Sequence, residues 1–592
     1  MGRNSKQDEN LRAAKLIRER KMLSNNLSNL WSSIIIDELI KSNVTDFFIS
    51  PGMRSAPLVN SLLSKTDVNL YIGIDERAQA YRALGSAKTT GRTSTLICTS
   101  GTALANYLPA IIEAKKSAIP MIVLSADRPI ELSSSDANQT IDQTKFYAQH
   151  VMTDACLGAP TEQIGPEVIR NTINHLLFRS LYPNKGPVHF NIPLREPLDE
   201  TLEEISDAYI SKCKLSFEKK MQTSYRSPIQ SLESEVIEQV ANLIENTEEG
   251  ILVIGSLNPS MPKEEVKKFI KNLNWPKHID ISSSLKFNYS LDDQIIPTFD
   301  HPEVFDTLTK NPPKTIIHLG GRTTSKHYYR FIEENPEIEL ITINWSEQKE
   351  DPSQMTDMRI VSQVDQFCSQ MNKKSFTSTS RINIDWKEFV TKKISLIDSA
   401  PLCYPYISKN IVEILREDSL LYISNSTIVR SFDNYISKDS KKSLRILTNR
   451  GVSGIEGLMA SAIGSAEGCK KYTTLVIGDI SFLHDLNSLQ MLKETNASLC
   501  IVLINNSGGG IFTLLPIAKN EKLLPYLTTP HNFNFKKNCE GFDLKHVEVT
   551  TSEEFTKQFT MAQEKEEKII IEVKVDNDQN IEIYKQLKTL KL

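Results

Sequence analysis

Two oxygen-bearing side chains close apolar runs in the last third of the chain. TTLVIGDI (473–480) ends on Gly478-Asp479, and LCIVLINN (499–506) ends on Asn505-Asn506, followed by Ser507-Gly508-Gly509-Gly510. If the two runs are neighbouring parallel strands, Asp479 and Asn506 stand at adjacent strand tips. The glycines then bring main-chain carbonyls and amides to the same point. One carboxylate, a few neutral oxygens and room for phosphates suit a magnesium ion holding a diphosphate, and helix N-termini behind the loops add N–H donors. Taken singly, GD and NN are ordinary strand-end turns; the specific signal is the pair, each closing an apolar run. In the first third, VNLYIGI (68–74) runs into Asp75-Glu76-Arg77 and so places a carboxylate at another strand end. A desolvated carboxyl with a raised pKa suits proton transfer. Glu76 alone reads more readily as a helix-start glutamate complementing the helix dipole.

A scaffold of alternating strands and helices would position these groups. Leu27, Leu30, Trp31, Ile34, Ile35 and Leu39 recur at helical spacing up to about Lys41. Strands are then expected at 45–50, 68–74, 94–100 and 120–127. A second set follows at 250–256, 314–320 and 339–345, and a third at 420–426, 473–480, 499–506 and 569–575, with helical stretches between them. The charged segment 199–232 reads as a linker and SQMNKKSFTSTSR (369–381) as a polar break. These punctuations predict a polar tail at 1–24 and three α/β domains at 25–200, 215–370 and 382–592, the first and third alike in rhythm. Open sheets of this kind bind ligands beyond the carboxyl ends of their strands, where Glu76, Asp479 and Asn506 fall.

Composition narrows the function classes. The chain has 592 residues, enough for three or four units at about 150 residues each. Lys plus Arg (69) nearly balance Asp plus Glu (73), giving a net charge of −4 and no basic field of the kind that binds nucleic acid. No window approaches the ~18 to 20 apolar residues of a membrane span, and the polar N-terminus lacks a signal-peptide core, so a soluble, cytoplasmic protein is expected. The eight cysteines are scattered without a CxxC pair, and the ten histidines form no HxxxH pair, which points away from disulfides and zinc.

The Asp479 and Asn506 pattern resembles the thiamine-diphosphate motif, GDG followed some two dozen residues later by NN, with Ile480 in place of the last glycine. More blocks extend the resemblance: SPGMRSAPL (50–58), DERAQAYRALGSAK (75–88), CTSGTALANYLPAIIEA (98–114), SADRPIEL (125–132), ANQTIDQ (137–143), NRGVSGIEGL (449–458), GDISFLHDLNSL (478–489) and NNSGGGIFTLLP (505–516). Together they are similar to the 2-succinyl-5-enolpyruvyl-6-hydroxy-3-cyclohexene-1-carboxylate synthase family of menaquinone biosynthesis, in which an aliphatic residue replaces the last glycine of the motif. The resemblance runs from about Leu27 to near the C-terminus.

It implies three doubly wound parallel-sheet domains of the thiamine-diphosphate enzyme type: pyrimidine-binding, central and diphosphate-binding. It also implies a transferase that uses thiamine diphosphate and Mg²⁺ (or Mn²⁺) to decarboxylate 2-oxoglutarate and add the succinic semialdehyde carbanion equivalent to isochorismate. Glu76 would be the catalytic carboxylate against the cofactor's aminopyrimidine ring. Cofactor contacts carry over to Ser426, Ile455, Asp479, Ser481, Asn506, Gly508, Gly509, Ile511 and Phe512, with Asp479, Asn506 and the Gly508 carbonyl holding the metal. Substrate contacts carry over to Arg54, Arg128, Gln139, Lys326, Arg430, Arg450, Phe512 and Leu515. Arginine suits carboxylates because its planar fork binds them bidentately, although each basic residue alone is also a plain surface charge. Ile455, Phe512 and Leu515 alone read as core packing. A homodimer or dimer of dimers with the cofactor between subunits is implied. Two positions depart from the family: Met53 stands where a serine is usual beside Arg54, and His327 follows Lys326 where an arginine is common. An acetolactate-synthase-like enzyme with a flavin in its middle domain and a full GDG triplet is the nearest alternative; a homologue without catalysis is another.

Overall fold

A computed structural model describes residues 26–227, 231–346, 348–435 and 441–592, so the expected polar tail lies outside the described residues. Asn26 caps the first helix, Leu27–Lys41, by accepting from the Asn29 amide at 2.9 Å, and Leu30, Trp31, Ile34, Ile35 and Leu39 are buried.

The first sheet is built from β1 (Asp46–Ile49), β2 (Asn69–Ile72), β3 (Ser94–Cys98), β4 (Met121–Asp127), β5 (Asp154–Cys156) and β6 (Pro187–Pro193). All are parallel, in the order β2-β1-β3-β4-β6-β5. The second comprises β7 (Gly250–Ile254), β8 (Lys277–Ile279), β9 (Thr315–Leu319), β10 (Glu339–Asn344) and β11 (Met358–Val361), in the order β11-β10-β9-β7-β8. The third comprises β12 (Leu420–Ile423), β13 (Arg445–Leu447), β14 (Thr473–Gly478), β15 (Leu499–Asn505), β16 (His546–Val549) and β17 (Ile569–Lys574), in the order β13-β12-β14-β15-β17-β16. The first and third sheets therefore share one topology. Central strands such as β3, β4 and β15 are buried along their whole length, as expected where helices cover both faces of a parallel sheet. Val123, Ile251 and Val502 lie in these apolar interiors.

Every strand expected from the sequence is present, trimmed by up to three residues at its ends. The segment 199–232 differs from the linker expected there. It contains the helix Asp207–Glu218, whose Tyr209, Ile210 and Cys213 join the apolar core under the first sheet, and the Tyr209 hydroxyl accepts from Trp31 Nε1 at 3.0 Å. Asp207, Ser211, Lys212 and Glu218 are exposed on its outer face, which is why composition alone reads as a break.

The chain divides into two compact units, the first ending at Ser227 and the second holding the remaining two sheets. In both six-stranded sheets the strand order reverses direction beside the first strand, between β1 and β3 and between β12 and β14. Loops leaving such a switch point diverge and open a crevice at the carboxyl ends of the strands. Among the described residues no helix is long and apolar enough to cross a membrane.

Candidate functional site

In the second unit, β14 runs directly into a short helix that starts at Asp479. Asp479 is buried, and each of its oxygens is fixed by main-chain amides. Oδ1 accepts from Ile480 N at 2.7 Å, while Oδ2 accepts from Gly508 N at 2.9 Å and Asn506 N at 3.2 Å. The loop after β15 is thus tied to the tip of β14, and the two residues singled out by spacing meet. Burial pushes the Asp479 carboxyl above the usual range, against the pull of the Gly508 and Ile480 amides and of His531. Asn506 Nδ2 donates to Asn577 Oδ1 at 3.2 Å, which turns its Oδ1 toward the Tyr404 hydroxyl at 3.3 Å. Gly508 has φ +147, and a Cβ there would meet Thr528 O at 2.6 Å; only glycine fits. Gly509 and Phe512 are half-buried on the same loop, with the Phe512 ring against the Gly509 backbone. Ile511 is half-buried, Leu515 exposed, and Ser481 buried in the turn after Asp479.

Beyond β12, Ser426 takes φ +68 and ψ −135. That conformation is costly for a residue with a side chain and marks a position worth examining for function. The Ser426 carbonyl accepts from Arg430 Nη1 at 2.6 Å. Arg450, leaving β13, reaches Asn425 Oδ1 at 3.5 Å, and its main-chain carbonyl accepts from Arg322 Nη2 at 2.8 Å, with Gly451 O at 3.1 Å. Burial lowers the Arg450 pKa; Asp280 opposes that shift, while Arg430 and Arg322 add to it. Among the described residues none of these three guanidiniums has a carboxylate partner within ion-pair distance. Arg322 is exposed and Arg430 and Arg450 are half-buried; guanidiniums without a carboxylate partner are a receptor for carboxylate or phosphate. Lys326 is exposed at the head of the helix His327–Glu334, and His327 Nδ1 lies 2.9 Å from Asp300 Oδ1. Asp300 also sits in the field of Arg430, so the loop bearing Lys326 and the Arg430 helix share one counter-charge. Ile455 is half-buried in the loop between β13 and the next helix.

In the first unit, the loops after β1, β3 and β4 converge at the carboxyl end of the sheet. Gly52 is so close to Thr99 that a Cβ would lie 2.2 Å from the threonine Cβ, and a Cβ on Gly101 would meet the Gln139 carbonyl at 3.3 Å. Arg54 is buried, with Nη1 donating to Leu194 O at 2.9 Å and Nη2 3.3 Å from Glu196 Oε1. Met53 is exposed. Arg128 is half-buried and its Nε has no hydrogen-bond partner; Gln139 is exposed at φ +56. Glu76 opens the helix Glu76–Thr90, where Asp75 is the cap, accepting from Ala78 N at 3.2 Å. Asn106 Nδ2 donates to Glu76 Oε2 at 3.4 Å. The carboxylate is half-buried and flanked by exposed Ile72 and Ile74.

Several residues of these sites were not singled out from the sequence. His531 Nε2 is buried without a hydrogen bond and lies 3.2 Å from Asp479 Oδ2. Arg322 follows the Gly320-Gly321 pair at the end of β9, a pair of glycines that could have flagged it. In the first unit, Gln143 accepts from Gly101 N at 2.9 Å and donates to Asn191, which donates to Asp127 Oδ2 at 2.7 Å. That buried relay fixes the loops bearing Arg128 and Gln139.

Residues 31–146 match the family described as thiamine pyrophosphate enzyme, N-terminal TPP binding domain. Residues 218–423 match the middle domain of thiamine pyrophosphate enzymes, and 435–573 the C-terminal TPP binding domain. The chain is 35% identical to a 2-succinyl-5-enolpyruvyl-6-hydroxy-3-cyclohexene-1-carboxylate synthase of Syntrophus aciditrophicus, over 96% of this chain and 100% of the relative. It is 32% identical to the synthase of the same name from Pelodictyon phaeoclathratiforme, over 96% of each. Among solved structures, the thiamine diphosphate-dependent 4-hydroxybenzoylformate decarboxylase of Rhodococcus jostii RHA1 superposes with a TM-score of 0.71 at 17% identity, covering 92% of this chain and 99% of that one; that likeness speaks to the fold. The chain belongs to the thiamine pyrophosphate enzymes, in the family of the 2-succinyl-5-enolpyruvyl-6-hydroxy-3-cyclohexene-1-carboxylate synthases.

Proposed function

We propose that this chain is a thiamine-diphosphate-dependent carboligase that decarboxylates 2-oxoglutarate and joins the remaining four-carbon unit to isochorismate, releasing CO2. The observation that carries the reading is full-length similarity to the curated synthases, supported by Arg322, Arg430 and Arg450, clustered in the second unit and without a carboxylate partner among the described residues. Donor chemistry supports the cofactor: a buried carboxylate, an amide oxygen and a glycine-only backbone turn meet at Asp479, Asn506 and Gly508, and the His531 imidazole lies against the same carboxylate. Hard oxygens of this kind suit Mg²⁺ or Mn²⁺. When bound, thiamine diphosphate supplies the carbanion-stabilising centre that a 2-oxo acid needs to lose CO2.

The chain's own residues do the rest. Asp479, Asn506 and the Gly508 carbonyl hold the metal, and Ser426, Ser481, Gly509 and Ile511 line the cofactor. Ile455, Phe512 and Leu515 wall the pocket and exclude water. Glu76 holds a proton at the aminopyrimidine ring. Arg430, Arg450 and Lys326 in the second unit, and Arg54, Arg128 and Gln139 in the first, take the substrate carboxylates. Met53 and His327 tune affinity for those carboxylates and leave the cofactor site unchanged. A half-buried Glu76 flanked by exposed isoleucines needs a further surface to exclude water, which supports a homodimer or dimer of dimers. The division into domains at 25–200, 215–370 and 382–592 and a cytoplasmic location belong to the same reading.

The test incubates purified protein with 2-oxoglutarate, isochorismate, thiamine diphosphate and Mg²⁺, omitting each in turn and following product mass. Product that requires all four is expected. Product formed from pyruvate and a second 2-oxo acid instead would move the chain to another carboligase activity.

A further inference from the structure

Glu572 sits in the interior of the third sheet, and nothing in the proposed chemistry uses it. β17 carries it between Leu503 of β15 and Glu548 of β16, and it is almost fully buried. Three side chains converge on its carboxylate. Asn505 Nδ2 donates to Oε1 at 2.7 Å, Lys574 Nζ lies 2.7 Å from the same oxygen, and His546 Nε2 lies 2.8 Å from Oε2. Burial alone would raise this carboxyl, but the His546, Lys574 and Asn505 contacts outweigh it and hold the group down to about 2. Glu572 is therefore a fixed, acceptor-only charge.

That charge dictates how Asn505 turns. An amide offers a donor on one side and an acceptor on the other. With the NH2 committed to Glu572, the Asn505 oxygen faces the following turn and accepts from Ser507 N at 3.0 Å. Ser507 stands at φ +60 and Gly508 at φ +147, a sequence of backbone angles that an isolated chain rarely adopts. Asn506 lies inside this turn, so the Asn505 cap sets the aim of the Asn506 side chain and of the Gly508 carbonyl.

We propose that Glu572 is a positioning residue for the metal and diphosphate loop, acting through the Asn505 amide on the Ser507 turn. The inference rests on Asp479, Asn506 and Gly508 being the metal ligands. A glutamine at 572 could present NH2 to Asn505, let its amide reverse and set a donor against the Ser507 N–H.

Full-length Glu572→Gln, Asn505→Ala and the double variant would be titrated with Mg²⁺ at fixed thiamine diphosphate by calorimetry, with melting temperatures of the metal-free proteins measured alongside. The Mg²⁺ requirement should rise about 10- to 100-fold in each single variant, the range seen when the support of a metal ligand is removed. The double variant should be little worse than either, because both cut one link. Asn505→Ala decides the matter if Glu572→Gln does not fold, since it leaves the His546 and Lys574 pairing in place. A lowered melting temperature with a wild-type Mg²⁺ titration would mean that the network only staples three strands, and would overturn the proposal. Failure of the wild type itself to bind Mg²⁺ with thiamine diphosphate would overturn the ligand assignment beneath it.

Discussion

Replacing Gly508 by alanine tests whether the turn after β15 is built for the cofactor. A Cβ at this position lies 2.6 Å from Thr528 O, whereas ordinary contact needs about 3.3–3.6 Å, so the backbone would have to open by about 0.7 Å or more. The carbonyl is not free to retreat, because it accepts from Gly509 N at 2.7 Å. The φ of +147 adds a conformational cost of about 1–3 kcal/mol for a residue with a side chain. Relief comes by giving up the Gly508 N–H bond to Asp479 Oδ2, 2.9 Å in the intact loop, and a hydrogen bond to a charged group is worth about 1.5–3 kcal/mol. At about 1.4 kcal/mol per tenfold, thiamine diphosphate should bind Gly508→Ala about 10- to 100-fold more weakly at saturating Mg²⁺. The strain is confined to one half-buried loop outside the sheets, so the melting temperature should fall by about a few degrees at most. Calorimetric titration of the folded variant is the assay. A wild-type dissociation constant would refute the role given to this turn.

Glu76→Gln should lower kcat by about 10²–10⁴ with unchanged thermal unfolding, measured by product formation and circular dichroism. Arg450→Met should cost about 2–5 kcal/mol in kcat/KM for the carboxylate substrates while leaving the dissociation constant of thiamine diphosphate within about twofold; a loss in cofactor affinity instead would move Arg450 out of the substrate site. Asp479→Asn should abolish Mg²⁺-dependent cofactor binding in calorimetry. For acid stability, Glu572 has a folded pKa of about 2 against an ordinary 4.5. Its contribution is complete above about pH 4.5 and is lost as pH falls toward 2. Glu572→Gln should therefore show a shallower decline of unfolding free energy over that window than the wild type, measured by denaturant titration.

Most strands visible in the sequence are buried apolar runs; β2 is the exception, legible from its apolar residues although Asn69, Leu70 and Ile72 are exposed. β14 and β15, with Leu475, Val476, Ile501 and Val502 inside, could hardly be read otherwise. β6, PVHFNIP, escaped because His189 and Asn191 sit in its middle and prolines bound it. Both polar side chains are buried, and Ser125 bonds each of them, at 2.7 Å to His189 Nε2 and 2.9 Å to Asn191 Oδ1. The other missed strands are short: β5, β8 and β13 have three residues each and β11 and β16 four, too few for a period to show. Site residues followed the same rule. Asp479 and Asn506 announce themselves by ending apolar runs, but Arg322 matters through a carbonyl 128 residues away and Glu572 through an amide 67 residues away. Partners so distant in sequence leave no local pattern. His531 lies outside any strand end, and its place against Asp479 depends on how the loop after β15 returns.

The most direct measurement is the ratio of carbon dioxide released from carboxyl-labelled 2-oxoglutarate to isochorismate consumed, with thiamine diphosphate and Mg²⁺ present. The account predicts one CO2 per isochorismate at every time point, with neither event proceeding in Glu76→Gln. CO2 released at full rate without isochorismate loss, or isochorismate lost without CO2, would contradict it.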